Sequence, residues 1–161
     1  MTVDLDTPPR VSWSIRKSIV LIASLVGLGI SIYLTIVHYD RSLTLSCPRT
    51  TVFNCETVQH SPQAIIFGIP VAVLGLPFFV AMVALALPIA WRIPSIRVAQ
   101  LRLAMSVVGL GFAFYLVYTE LFTIHAICVW CSAVHVLTFI IFVALVTGWE
   151  EATDAAYLAE S

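Results

Sequence analysis

Cys47, Cys55, Cys128 and Cys131 are the only cysteines in this chain. They come as two pairs. Seven residues separate Cys47 from Cys55, while Cys128-Val129-Trp130-Cys131 is a CxxC. Disulfide exchange proceeds by thiolate attack on a disulfide sulfur, so a relay needs two such pairs within reach and on one side of any membrane. Two other uses of the same residues remain open from the spacing. One is a pair of structural disulfides in an oxidising compartment. The other is a zinc site, with His60 or His125 as further donors, although structural zinc favours CxxC twice and the first pair is wide. Which chemistry is available depends on the elements that hold the pairs.

Those elements are read from hydropathy. The chain has 161 residues, of which 60% are hydrophobic and only 11% charged. Its mean hydropathy is +1.01. Soluble domains carry about 25% charged residues. A helix needs roughly 20 apolar residues to cross a bilayer, and four stretches meet that length. The expected architecture is an all-α membrane protein of one domain, residues 1–161. It is a four-transmembrane-helix bundle with helices at about 15–38, 64–91, 97–120 and 127–149, and an outer loop at 39–63. The first stretch follows Arg16 and Lys17 as a signal peptide would. It is longer than a signal's apolar core and no small-residue cleavage site follows it, so it reads as a retained helix. Short cytoplasmic tails are expected at both ends: Asp4, Asp6, Pro8 and Pro9 mark the first, and the acidic run from Glu150 to Ser161 the second.

Lysine and arginine placement sets the orientation. Arg10, Arg16 and Lys17 precede the first helix, and Arg92, Arg97 and Arg102 surround the connection from the second to the third. Arg41 and Arg49 fall in the loop after the first helix. Both termini are therefore expected in the cytoplasm, and all four cysteines on the extracytoplasmic, oxidising side. Trp13, Trp91, Trp130 and Trp149 fall at expected helix ends, where indoles anchor at headgroups. Gly27 with Ser31, and Gly109 with Ala113, give two helices small-residue faces for close packing. Gly68, Pro70, Gly75 and Pro77 interrupt the second helix, as backbone bent around a cavity or a neighbour would. The CxxC opens the fourth helix, whose N-terminal dipole favours a thiolate there. The other pair sits on a polar loop beside Arg49, Thr50, Thr51, Asn54 and Glu56. His135 lies one turn beyond Cys131 on the same face. An ionisable group inside a membrane helix is a functional candidate, as a hydrogen-bond partner or proton donor to a bound molecule; the alternative is a neutral histidine bonded to a neighbouring helix. Glu120, near the outer end of the third helix, reads as an interfacial charge.

Taken together these residues resemble the vitamin K epoxide reductase family in its bacterial branch. The resemblance rests on Cys47 and Cys55 at their spacing, Ser61 six residues later, Ile66-Phe67-Gly68-Ile69-Pro70 entering the second helix, and the CxxC opening the fourth. The DsbB family, the other quinone-linked disulfide generator, carries its CxxC in the first outer loop instead.

The resemblance implies a four-helix bundle around a quinone, capped by the outer loop with a short helix. It implies that Cys131 faces the quinone, that Cys128 is its disulfide partner, that Cys55 shuttles to Cys128 and that Cys47 exchanges with a soluble partner. Ser61 would hold the capping loop by hydrogen bonding; its alternative is a helix N-cap before Pro62. Ser61, Gln63, Ala64, Phe67 and His135 would bind or support the quinone. The animal enzymes have an asparagine where Ala64 stands and a tyrosine where His135 stands; Gln63 is adjacent to the first and available to replace it.

The implied activity is that of a quinone-dependent thiol oxidase making disulfides for exported proteins, with menaquinone or ubiquinone as acceptor and no metal. Its location would be the bacterial inner membrane. The expected donor is a separate extracytoplasmic thioredoxin-like (DsbA-type) protein, because no thioredoxin-like domain follows the fourth helix; no nucleic-acid partner is expected. Two rival functions are a thiol-driven quinone epoxide reductase, as in the animal relatives, and a non-enzymatic four-helix scaffold with structural disulfides or a bound metal.

Overall fold

A computed structural model describes residues 10–40, 42–48, 50, 52–93 and 95–160, with side chains placed from 15 to 158 within them. The N-terminal tail residues Asp4 to Pro9, the Trp13 side chain, the loop residues Arg41, Arg49 and Thr51, and Ser161 lie outside the described residues.

Helix α1 runs over Arg10–Tyr39 and ends where Asp40 turns the chain, its carboxylate accepting the Ser42 N–H at 3.0 Å and the Ser42 hydroxyl at 2.6 Å. Both bonds hold the Asp40 carboxyl below its usual pKa, the hydroxyl more strongly. After a loop come a short helix α2, Cys55–Gln59, and a single 3-10 turn, Pro62–Ala64. A two-stranded antiparallel hairpin follows, β1 (Ile65–Ile66) with β2 (Ile69–Pro70), Ile66 opposite Ile69. Then come α3 (Val71–Ala86), α4 (Pro88–Trp91), α5 (Ile96–Thr119), a π-helical turn over Glu120–Ile124, α6 (Val129–Thr147) and α7 (Trp149–Glu160).

Among the described residues three segments are long and apolar enough to cross a membrane: Ile15–Tyr39, Ile96–Ile124 and Val129–Thr147. The expected second span at 64–91 is divided. Phe67 at φ 52° and Gly68 at φ 79° form the two-residue turn of the hairpin. Positive φ at both turn positions suits the twist of the flanking strands, and glycine meets it without a Cβ penalty. Pro70 ends the hairpin, so helix begins only at Val71, and α3 is 16 residues long. At 1.5 Å per residue that is about 24 Å, short of a ~30 Å hydrocarbon core. Pro88 has no N–H to continue α3, and the chain turns at Leu87, φ −59° and ψ 146°.

α1 packs on α3 and α6, and α5 packs on α6 and α3, closing a bundle. Its centre is Val20, Phe79, Met82, Ile141 and their neighbours. Glycines permit the close approach. A Cβ on Gly27 would overlap the Phe79 ring, one on Gly109 the Phe78 ring, and one on Gly75 would stand 2.8 Å from the Ser31 hydroxyl. Around the outside, Ile22, Ile36, Val108 and Phe114 are exposed on the long helices, as lipid-facing side chains are.

The break before α4 is closed by side chains. Buried Arg102 donates through Nε to the Leu85 carbonyl and through Nη2 to that of Ala90, both at 2.8 Å. The Trp91 indole donates to the Ala86 carbonyl at 3.0 Å, and the Arg102 guanidinium lies 3.8 Å from the centre of its ring. Trp91, Trp130 and Trp149 do stand at helix ends, but Trp91 and Trp130 spend their N–H groups on protein carbonyls. The C-terminal acidic run is a helix rather than a tail. α7 packs on α5 and α6 with Ala156 buried. Arg16 fastens its start, donating to the Thr147 carbonyl at 2.7 Å and pairing with Glu151 at 3.4 Å.

Candidate functional site

All four cysteines meet at one end of the bundle. Cys55 and Cys128, both fully buried, form a small core with Val58 and Ala126, and Cys47, Trp130 and Cys131 pack against it. Cys47 and Cys55 are joined in a disulfide, Cα to Cα 6.2 Å. Cys128 and Cys131 are free thiols.

Backbone pairing brings the two pairs together. Phe53 and Ile127 form a parallel bridge: the Asn54 N–H donates to the Ile127 carbonyl at 3.2 Å, and the Ile127 N–H to the Val52 carbonyl at 2.8 Å. Each chain then runs directly into its cysteine. Asn54 caps α2, its side-chain oxygen accepting the Thr57 N–H at 3.1 Å, so Cys55 is the first residue of that helix. On the loop's other side both backbone groups of Ser46 are held. Its carbonyl accepts the Trp130 indole N–H at 3.0 Å, and its N–H donates to the Tyr33 hydroxyl at 3.3 Å. Tyr33 and Trp130 meet edge-to-face at 5.2 Å.

Cys128 is the N-cap of α6, with its sulfur accepting the Cys131 N–H at 3.3 Å. The Cys131 thiol, and after it the Cys131 and Trp130 N–H groups, hold the Cys128 thiol below its usual pKa against the opposing effects of burial and of Glu120. The expected thiolate position is therefore Cys128, at the start of the helix.

Below the cysteines lies a cavity of about 300 Å³ lined by α1, α3, α5 and α6, with α2 and the 3-10 turn over it. Cys131, Ser61, Gln63, Ala64 and His135 all line it; Cys128 does not. Its walls are otherwise mostly apolar. His135 contributes a buried Nδ1 without a hydrogen-bond partner among the described residues. The neighbouring-helix bond considered for it from sequence is thus not made at this nitrogen. Phe67 is not part of the lining: at the tip of the hairpin turn it is 100% exposed. Ser61 precedes the 3-10 turn but makes no side-chain cap. Its hydroxyl donates back to the Val58 carbonyl at 2.8 Å and ties the end of α2 to the roof.

Two residues join the site that sequence reasoning had not placed there. Gln59, buried in the roof, directs Nε2 towards the Cys131 sulfur at 4.0 Å. Glu120, read from sequence as an interfacial charge, is only 5% exposed and lines the cavity; the Cys128 N–H hydrogen-bonds to its carboxyl. The π-helical turn puts it there, and such turns often occur at functional sites. Histidines on the cysteine side do not converge with it: His38 and His60 stack on each other at 5.2 Å, and His125 ends the π-turn in left-handed backbone. Among the described residues no three His, Cys, Asp or Glu side chains are grouped as a metal set.

A search of the curated proteins finds no match. The model of the vitamin K epoxide reductase family matches residues 18–146, from the third turn of α1 to the last of α6. Over that span, with its paired cysteines at the end of a helical bundle, the chain belongs to the vitamin K epoxide reductase family, whose members suggest quinone-linked thiol redox chemistry in a membrane.

Proposed function

We propose that the protein is a quinone-dependent thiol oxidase that makes disulfides for exported proteins. One observation carries the reading: Cys128 is buried against the loop disulfide while Cys131, three residues on, opens onto the apolar cavity. The inner pair thus has one sulfur towards each neighbour in a relay.

The cavity suits a quinone head. Its ~300 Å³ is at the lower end of small-molecule sites, and its wall is apolar with few polar groups. The unpartnered His135 Nδ1 and the Gln63 amide would hold the carbonyl oxygens. A quinone bound there supplies a two-electron, two-proton acceptor, menaquinone or ubiquinone.

The protein's own steps are exchanges in which one S–S bond forms as another breaks. A dithiol partner, thioredoxin-like and extracytoplasmic, attacks Cys47, leaves oxidised, and leaves Cys47 and Cys55 as thiols. The Cys55 thiolate attacks Cys128 in the Cys128–Cys131 disulfide and releases Cys131. Cys47 then attacks Cys55, restoring the loop disulfide and leaving Cys128 and Cys131 reduced. That end state is the one the structure holds, with the loop pair joined and the inner pair free. The membrane would be a bacterial inner membrane, with the cysteine end outside.

The test is capture of the partner. In Cys55→Ser, Cys47 is left to form a mixed disulfide that cannot resolve through the loop. A thioredoxin-like exported protein linked at Cys47, together with loss of quinone reduction in Cys131→Ser at unchanged folding, is the expected result. Quinone reduction that persists in Cys131→Ser, or a Cys131→Ser protein that is destabilised rather than inactive, would overturn the oxidase reading in favour of a scaffold.

A further inference from the structure

Oxidising the inner pair forms one S–S bond and releases two electrons and two protons, one proton from each thiol. Cys131 opens onto the cavity, so its proton has a direct way out. Cys128 has none of its own: it is 0% exposed and does not line the cavity. Its neighbours on the loop side are Cys55, locked in a disulfide, and the apolar Val58 and Ala126. Besides Cys131, which loses a proton of its own in the same step, the ionisable side chain among the described residues that both hydrogen-bonds to Cys128 and lines the cavity is Glu120, which receives the Cys128 N–H. Cys131 and His135 are the other titratable groups on α6 that line the cavity; α2 contributes none to the lining.

We propose that Glu120 is the proton acceptor for Cys128, carrying its proton to the cavity as the Cys128–Cys131 disulfide forms. The step balances without an outside base. Cys128–SH gives its proton to the carboxylate, the Cys131 proton passes directly to the acceptor in the cavity, the two sulfurs join, the electron pair goes to that acceptor, and the carboxyl releases the Cys128 proton on the same side. The proposal rests on the oxidase reading for the acceptor's identity, but the proton path is a property of the dithiol and can be tested with no quinone present.

A purely electrostatic role for Glu120 predicts the opposite sign. A carboxylate beside Cys128 opposes ionisation of its thiol, so Glu120→Gln by charge alone makes the thiolate easier to form and oxidation faster. Removal of a proton acceptor makes it slower. In a Cys47→Ser, Cys55→Ser background the reduced inner pair is oxidised by diamide, a two-electron thiol oxidant, and followed by loss of alkylatable thiol.

Glu120→Gln is expected to slow this oxidation roughly 100-fold or more, the range for positioned general bases, and Glu120→Asp to recover part of the rate. An unchanged or faster rate in Glu120→Gln overturns the proposal and leaves the oxidase reading intact. A failed partner capture with a slowed Glu120→Gln does the reverse. Should Glu120→Gln not fold, the same oxidation in the Glu120-containing background carries the test. Slower oxidation in D2O supports proton transfer in the rate-limiting step. An inverse solvent isotope effect, the mark of a thiolate formed beforehand, overturns it.

Discussion

Trp130 lies inside the CxxC, yet its side chain faces the loop rather than the redox partner sulfur. Its indole N–H holds the Ser46 carbonyl at 3.0 Å and its ring packs on Tyr33 at 5.2 Å. Ser46 adjoins Cys47, so this contact and the Phe53–Ile127 bridge pin the loop at two points over the fully buried Cys128. Removing it should raise the population of a state with the loop lifted. Trp130→Phe keeps the ring contact and loses the hydrogen bond, worth about 0.5–1.5 kcal/mol net. Trp130→Ala also loses an edge-to-face pair worth a further ~0.5–1.5 kcal/mol, for a total of about 1–3 kcal/mol. The lifted population then rises roughly 2- to 10-fold in the first variant and 5- to 150-fold in the second, from the same energies and RT.

The assay is alkylation of Cys128 by N-ethylmaleimide in a background with serine at positions 47, 55 and 131, where Cys128 is the single thiol. A thiol with no exposed surface reacts only through local opening, so the rate reports the open fraction when reclosing outpaces labelling. The loop's anchors to Trp130 and Ile127 do not use the disulfide and remain in this background. Rates should rank parent, then Trp130→Phe, then Trp130→Ala, within the factors above. Equal rates in all three would refute the claim that the indole holds the loop down.

Arg102→Ala should be the most destabilising single change in the transmembrane bundle. It removes two charged hydrogen bonds worth about 1.5–3 kcal/mol each and strands two carbonyls at the α3–α4 break, for a loss of ~3–6 kcal/mol in detergent unfolding; a loss below about 1 kcal/mol would show that water replaces the guanidinium there. Gly109→Ala places a methyl in the Phe78 ring, which lines the cavity. At an overpacking cost of ~1–3 kcal/mol the ring turns into the cavity, and quinone affinity should fall roughly 5- to 150-fold in direct titration while exchange between the cysteine pairs is unchanged. Cys131→Ala removes the thiol that chiefly holds the Cys128 pKa down. The alkylation midpoint of Cys128 should therefore move to higher pH, with less thiolate at neutral pH, as measured by the pH profile of labelling in a background lacking the loop cysteines; a midpoint moving down would contradict the hydrogen-bond assignment.

What sequence revealed, and what it hid, divides by the range of the forces involved. The cysteine pairs, the long apolar helices and His135 beside Cys131 are legible because spacing along one helix and hydropathy along one segment are local properties. The position of Cys131 on a cavity with Ser61, Gln63 and Ala64 was reached only through the family resemblance, since residues 61–64 and 131 come from separate elements. Two elements differ from what local signals suggest. Gly68 and Pro70 read along the sequence as interruptions within one helix, whereas positive φ at Phe67 and Gly68 makes a hairpin and delays α3 to Val71. The acidic end reads along the sequence as a tail without structure of its own, and burying Ala156 against α5 and α6 makes it a helix. Glu120 differs from its sequence reading for another reason: as the first residue of the π-turn it is turned inward, and nothing in its neighbours Thr119 and Leu121 announces that change of pitch.

Register would let the loop and α6 carry out the proposed disulfide exchange without a large motion. The bridge is parallel, with Phe53 opposite Ile127. Two residues beyond Phe53 is Cys55; one beyond Ile127 is Cys128. Both chains then turn into helices, α2 at Cys55 and α6 just after Cys128, so the two sulfurs are delivered into one small core from backbone paired immediately upstream. Holding reactants in place by backbone rather than by side-chain diffusion raises their effective concentration and spares the entropy of finding each other. The same register separates the roles of the inner pair. Cys128, nearest the bridge, can only face the loop, and Cys131, one helical turn on, faces the cavity. A one-residue insertion between Phe53 and Cys55 would keep all four cysteines in the chain and leave the Cys128–Cys131 pair where it is, but would shift Cys55 out of register with the bridge. It should slow exchange between the pairs, measured as transfer of the loop's thiols to an oxidised inner pair. Exchange at the parent rate would mean that loop flexibility, not register, brings Cys55 to Cys128.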